Sequence, residues 1–109
     1  MLIEDKLVDD TLVVKVCETR VDAHNAGEFK GAMAQFVEDG NQRIALDLSE
    51  VEFIDSSGLG AIVACLKSVG RDGKFTMFGL RNTTLSMFRL TRMDRVFDIY
   101  ESEQDAIAA

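Results

Sequence analysis

The strongest constraint on the fold is a change of hydrophobic period at Asp55. Before it, Val51, Phe53 and Ile54 make a short apolar run of strand type. After it, Leu59, Ile62, Val63, Leu66 and Val69 recur at spacings of three and four, which lays one stripe along a helix. The hand-over is made by Asp55-Ser56-Ser57-Gly58-Leu59-Gly60. A carboxylate and two hydroxyls thus stand where the first backbone N–H groups of a helix lack intrahelical partners. Such an end attracts anions, phosphate included. Gly58 and Gly60 leave room for a partner's backbone or a phosphate to come close. The plainer roles are a cap, supplied by Asp55 or a serine, and tight helix–strand packing at the glycines.

The rest of the chain alternates in the same way. Residues 2–7 and 12–17 read as strands, the second alternating Leu12, Val14, Val16 against Val13, Lys15, Cys17. Val8-Asp9-Asp10-Thr11 is turn-like, which predicts an opening hairpin. Asp22 is expected to cap a helix with the apolar face Ala26, Phe29, Met33, Phe36, Val37, ended by Gly40-Asn41. Residues 43–48 form a short, largely buried strand, and Ser49-Glu50 begins the loop toward Asp55. The central helix runs to Val69, with Gly70 and Gly73 as stops. Residues 74–79 give another strand, Asn82-Thr83-Thr84 a cap for a helix through Leu85, Phe88 and Leu90, and residues 96–100 a last strand. Ser102-Glu103-Gln104-Asp105 reads as a capping box before a small terminal helix. With no proline, repeat or linker, residues 1–109 are expected to form one domain. Its class is α/β: a mixed, mostly parallel sheet after the hairpin, with about four helices. Right-handed crossovers would put Ser56 at the carboxyl ends of strands, where open α/β sheets carry their functional surfaces.

Charge narrows the function. A net charge of −7, from 19 Asp plus Glu against 12 Lys plus Arg, argues against nucleic acid and anionic membrane as partners. No apolar run has the length of a spanning helix, and Met1-Leu2-Ile3-Glu4-Asp5-Lys6 lacks the basic start and apolar middle of a signal peptide. Cys17 and Cys65 lie in apolar segments without metal-type or CxxC spacing, as expected of core thiols in a reducing cytoplasm. The single His24 cannot assemble a zinc site, and no cofactor motif stands out.

Three chemistries suit a serine or aspartate at a helix start. Acyl transfer by Ser56 needs a base and an orienting acid, yet His24 is the only imidazole and the motif is not the G-x-S-x-G elbow. A receiver-like phosphoaspartate at Asp55 would use Asp9-Asp10 and Lys74, but that acidic pair falls in a hairpin turn and the lysine opens a strand. A phosphate-binding P-loop wants Gly-Lys-Ser/Thr, which Gly58-Leu59-Gly60 lacks. Asp9-Asp10 and Glu38-Asp39 otherwise read as solvated surface.

Phe53-Ile54-Asp55-Ser56-Ser57-Gly58-Leu59-Gly60 closely resembles the signature of bacterial anti-sigma-factor antagonists, which are STAS domains. The likeness spans nearly the whole chain, through the hairpin, Val21-Asp22, Leu46-Asp47-Leu48, and Leu90-Thr91 to Ile99. The resemblance implies a regulatory protein rather than an enzyme, with the phosphorylated serine at Ser56. It implies two partners: an anti-sigma factor that is a serine kinase of histidine-kinase-like ATPase fold, and a PP2C-type phosphatase. Unphosphorylated antagonist captures the kinase. Arg20, Asp22, Asp55, Ser56, Ser57, Gly58, Leu59 and Gly60 are then the expected partner-binding residues. Arg20 stands where the family has an acidic residue, and Arg92 where it has a glycine. The fold also serves in lipid-transport, stressosome and transporter regulation, so a scaffold without sigma-factor output and the receiver-like domain are the alternatives.

Overall fold

The computed structural model describes every residue from Met1 to Ala109. In chain order the elements are β1 (Ile3–Val8), β2 (Thr11–Val16), β3 (Arg20–Val21), α1 (Ala26–Glu38), β4 (Arg43–Asp47), β5 (Phe53–Ile54), α2 (Ser56–Val69), β6 (Lys74–Phe78), α3 (Asn82–Leu90), a 3₁₀ turn (Met93–Arg95), β7 (Asp98–Tyr100) and α4 (Glu103–Ala108). The main sheet has the order β1-β2-β4-β6-β7. Only β1 is antiparallel, paired with β2 from Ile3↔Val16 to Val8↔Thr11, while the other pairs are parallel. Asp9 takes a φ of 53° at the hairpin, a left-handed conformation that Asp tolerates better than most residues. This is the α/β class, hairpin and four-helix count read from the sequence.

The core follows from strand alternation. Val14, Val16, Ile44, Leu46, Phe75 and Met77 face one side of the sheet and pack with Phe29, Met33, Ile62 and Cys65 of α1 and α2. Val13, Ala45 and Phe78 face the other side, under Ala106 of α4. Phe97 meets Phe75 and Phe88 edge-on, with ring centroids 6.2 and 5.7 Å apart. No helix is long and apolar enough to cross a membrane.

Four local expectations are corrected. The run 51–54 is strand only at Phe53–Ile54, and it pairs with β3 in a separate two-stranded ribbon. Its start is diverted because the Val51 N–H turns back to Leu48 O (3.1 Å) and the Glu52 N–H reaches Thr19 O (2.7 Å). Asp22 does not cap α1. Its carboxylate accepts the His24 N–H at 3.0 Å, building a turn ahead of the helix, whose N-cap position is Asn25. At α3 the N-cap position is Arg81, since Thr83 donates its hydroxyl to Glu52 O and Thr84 to Arg81 O. The last strand begins at Asp98 rather than Val96, because the Val96 and Phe97 N–H groups both bond to Met93 O at 2.9 Å. Ser102 does cap α4, accepting the Asp105 N–H at 3.1 Å.

Candidate functional site

Asp55 is the joint of the site. Its backbone is extended (φ −94°, ψ −174°), as an N-cap residue requires. One carboxylate oxygen accepts the Gly58 N–H at 2.9 Å, and the other accepts the Ala23 N–H at 3.2 Å. Its own N–H donates to Val21 O at 3.2 Å, and its carbonyl accepts the Leu59 N–H at 2.9 Å. One residue thus caps α2 and ties the helix start to the β3–α1 loop, two tasks that a serine hydroxyl at this place does not take on. Ser56 and Ser57 open the helix with exposed side chains.

The two glycines behind them differ. Gly58 is buried, and a Cβ there would collide with the carbonyl oxygen of Val21. Its missing side chain lets β3 lie directly on α2, so Gly58 serves packing and is not a surface for a partner. Gly60 is exposed, with nothing within 4 Å of where a Cβ would stand. Leu59 between them is half-buried against the core.

The β3–α1 loop is held by its own polar ladder. The Asp22 N–H donates to Asn25 Oδ1 (2.9 Å), and Asn25 Nδ2 donates to Arg20 O (2.8 Å). The His24 N–H, and then the Arg20 guanidinium, hold the Asp22 carboxyl below its ordinary value, because both favour the charged form. Arg20 Nε donates to Asp22 Oδ2 at 3.2 Å, and the guanidinium lies 4.3 Å over the ring of Phe53. On the far side of the ribbon, α3 is fastened by Thr83 to Glu52 O (2.8 Å) and by Arg81 Nε to Ser49 O (2.9 Å). The result is a surface at the carboxyl ends of β3 and β5. It brings together Arg20, Asp22, Asp55, Ser56, Ser57 and Gly60.

Phe53 belongs to this surface too, and it is not among the partner-binding residues expected from the sequence. It keeps 43 % of its area exposed while its neighbour Ile54 is buried. The signal was present, since strand alternation turns Phe53 outward once Ile54 turns in. The residues of the receiver-like alternative do not converge. Asp9 and Asp10 lie in the hairpin at the amino end of the parallel strands, and Lys74 pairs with Asp98 at 3.3 Å. Both oxygens of Asp55 are occupied by backbone N–H groups.

Residues 3–106 match the family described as STAS domain. A Thermotoga maritima protein, provisionally named an anti-sigma factor antagonist, is 36 % identical over 104 residues, covering 94 % of this chain and 91 % of that one. The anti-sigma-B factor antagonist of Listeria monocytogenes is 30 % identical over 84 residues, covering 76 % and 74 %. The crystal structure of an anti-sigma factor antagonist from Mycobacterium paratuberculosis superposes with a TM-score of 0.89 at 27 % identity, covering 98 % and 91 %. The chain belongs to the STAS domain family.

Proposed function

We propose that this chain is an anti-sigma factor antagonist whose grip on its partner is switched by phosphorylation of Ser56. The observation that carries the reading is the division of labour at the helix start. Asp55 supplies the cap, and the Ser56 hydroxyl stands exposed at the first residue of α2. The antagonist names of the Thermotoga and Listeria relatives support the output. In this reading the unphosphorylated chain sequesters a serine-kinase anti-sigma factor of histidine-kinase-like ATPase fold, and a PP2C-type phosphatase resets the modified form. Arg20, Asp22, Asp55, Ser56, Ser57, Leu59 and Gly60 form or frame the contact, and Gly58 contributes through packing. The chain acts by binding and not by catalysis, with neither nucleic acid nor membrane as its target.

Charge explains the switch. A phosphoryl group adds about −1.5 to −2 charges at neutral pH. On the free chain the N–H groups of α2 partly offset it, whereas at a desolvated contact it must shed water or face acidic groups. A penalty of ~3 kcal/mol weakens association roughly a hundredfold. The test is intact mass after incubation with ATP and candidate kinases, followed by phosphopeptide mapping. An acid-stable phosphate on Ser56, absent in Ser56→Ala, is expected. No mass gain would favour a constitutive scaffold, an acid-labile acyl phosphate on Asp55 a receiver-like domain, and phosphate on Ser57 alone would sink the assignment of Ser56.

A further inference from the structure

We infer that the Arg20–Phe53 stack is a preformed carboxylate-recognition element that selects the partner. This inference rests on the function proposed above and names the chemistry of the partner's contacting group. Arg20 and Phe53 are register partners on the two-stranded ribbon, so the backbone fixes their relative position. Phe53 presents an exposed ring, and the guanidinium covers it at 4.3 Å, within the range of a cation–π contact. Asp22 steadies the group from the side by accepting the Nε–H at 3.2 Å.

That arrangement uses one of the five N–H donors of a guanidinium. The two Nη groups have no acceptor within the chain, and the Arg20 side chain keeps 59 % of its area exposed. A planar fork held by a ring on one face and a carboxylate at Nε is oriented before any partner arrives, which lowers the ordering cost of association. Arg and aromatic side chains that become buried on docking are the residue types that dominate interface energetics. The ribbon continues directly through Asp55 to Ser56, so a protein docked on the serine also covers the fork.

Charge selects the occupant. A polyanion such as nucleic acid meets the carboxylates of Asp22 and Asp55 beside the fork and a chain of net charge −7. A single Asp or Glu side chain of a protein partner takes two parallel N–H···O bonds from the Nη edge and sets only one charge against that repulsion, where a polyanion sets one per residue. The occupant is therefore a carboxylate of the anti-sigma factor kinase.

The experiment measures Kd between the kinase that modifies Ser56 and the unphosphorylated chain, for wild type, Arg20→Glu, Arg20→Lys and Phe53→Leu, at two salt concentrations. Arg20→Glu is expected to weaken binding at least roughly thirtyfold. Arg20→Lys, which keeps the charge and loses the fork, should lose roughly tenfold, and Phe53→Leu roughly fivefold. The salt dependence of wild type should be the steepest, and one Asp→Lys or Glu→Lys replacement in the kinase should restore binding of Arg20→Glu. Thermal melts establish that each variant is folded, and Arg20→Lys serves if Arg20→Glu is not. A kinase that phosphorylates Ser56 yet binds the Arg20 variants with wild-type Kd would overturn this inference alone. Failure of every candidate kinase to modify Ser56 would instead remove the proposed function, and this inference with it.

Discussion

Gly58 and Gly60 stand two residues apart on one helix, and replacing each by alanine should move stability in opposite directions. Helix propensity alone favours both changes by up to ~1 kcal/mol. At Gly60 nothing opposes it, since the added methyl group meets no atom within 4 Å. At Gly58 the methyl group would enter the Val21 carbonyl oxygen and stand 2.9 Å from Ile54 Cγ2. The first obstacle is backbone and cannot rotate away. Moving β3 off α2 would also pull Val21 O from the Asp55 N–H and the Ala23 N–H from the Asp55 carboxylate, now 3.2 Å each. Overpacking costs about 1–3 kcal/mol, and each weakened hydrogen bond about 1. After the propensity gain, Gly58→Ala should lose about 2–4 kcal/mol and Gly60→Ala gain about 0.5–1. Urea unfolding followed by circular dichroism gives both numbers, and in thermal melts the pair should separate by about 10 °C or more. A Gly58→Ala protein as stable as Gly60→Ala would refute the claim that β3 rests on the bare backbone of α2.

Asp55→Ala should cost about 1–2 kcal/mol through loss of the cap and of the tie to Ala23, whereas Ser56→Ala should stay within about 0.5 kcal/mol of wild type; the reverse order in urea titrations would make the serine the cap. Arg92 holds a φ of 60°, so Arg92→Gly should relieve about 1 kcal/mol of left-handed strain, partly offset by a more flexible unfolded chain. Calorimetry should then show a Tm raised by a few degrees, and a fall would contradict that backbone assignment. Burial pushes the Cys65 thiol up to about 12, so it should resist a thiol reagent at mildly alkaline pH until denaturant is added; fast labelling of Cys65 in the folded chain would refute its burial. The Asp22 carboxyl lies below the ordinary aspartate value of 3.8, through the His24 N–H first and Arg20 after it. A depressed folded value means that its stabilising contribution is present above the unfolded value and is lost as pH falls through the folded one. NMR titration should find the Asp22 midpoint below 3.8, higher but still depressed in Arg20→Gln; an undepressed midpoint would dissolve the loop's polar ladder.

Much of the fold was legible because the period of apolar residues is a direct record of what each element buries. The stripe from Leu59 to Val69 became α2, which stops at Gly70 with a φ of 74°. The ribbon was not legible. β3 is two residues long, one of them an exposed arginine, and it exists only because β5 supplies a partner from far along the chain. Asp22 was misplaced because Asp22 and Asn25 are both cap-forming types at cap-like spacing; hydrogen bonds through His24 and Arg20 decide that the first makes the turn. Gly58 and Gly60 look alike in a sequence, and only the approach of β3 tells them apart. Arg92, where the resemblance expects glycine, marks a left-handed residue. That conformation explains the preference for glycine without any role in binding.

A helix start offers both a structural position and an anion-attracting one, and a chain that used one side chain for both would couple modification to folding. Under the proposed function the tasks fall to neighbours. Asp55 spends both carboxylate oxygens on backbone N–H groups of α2 and of the β3–α1 loop, and Gly58 lets those two segments touch. Ser56 carries none of this load. A phosphate on its exposed hydroxyl meets the favourable end of the α2 dipole, worth up to ~1 kcal/mol, and the opposing charge of Asp55 beside it. These effects have opposite signs, so in the proposed function the folded domain should respond little to the modification. A docked partner has no such balance, because the same charge must then be desolvated next to the Asp55 carboxylate. Under the proposed function, the arrangement of one strand end and one helix start would direct the energy of phosphorylation into association and away from the fold.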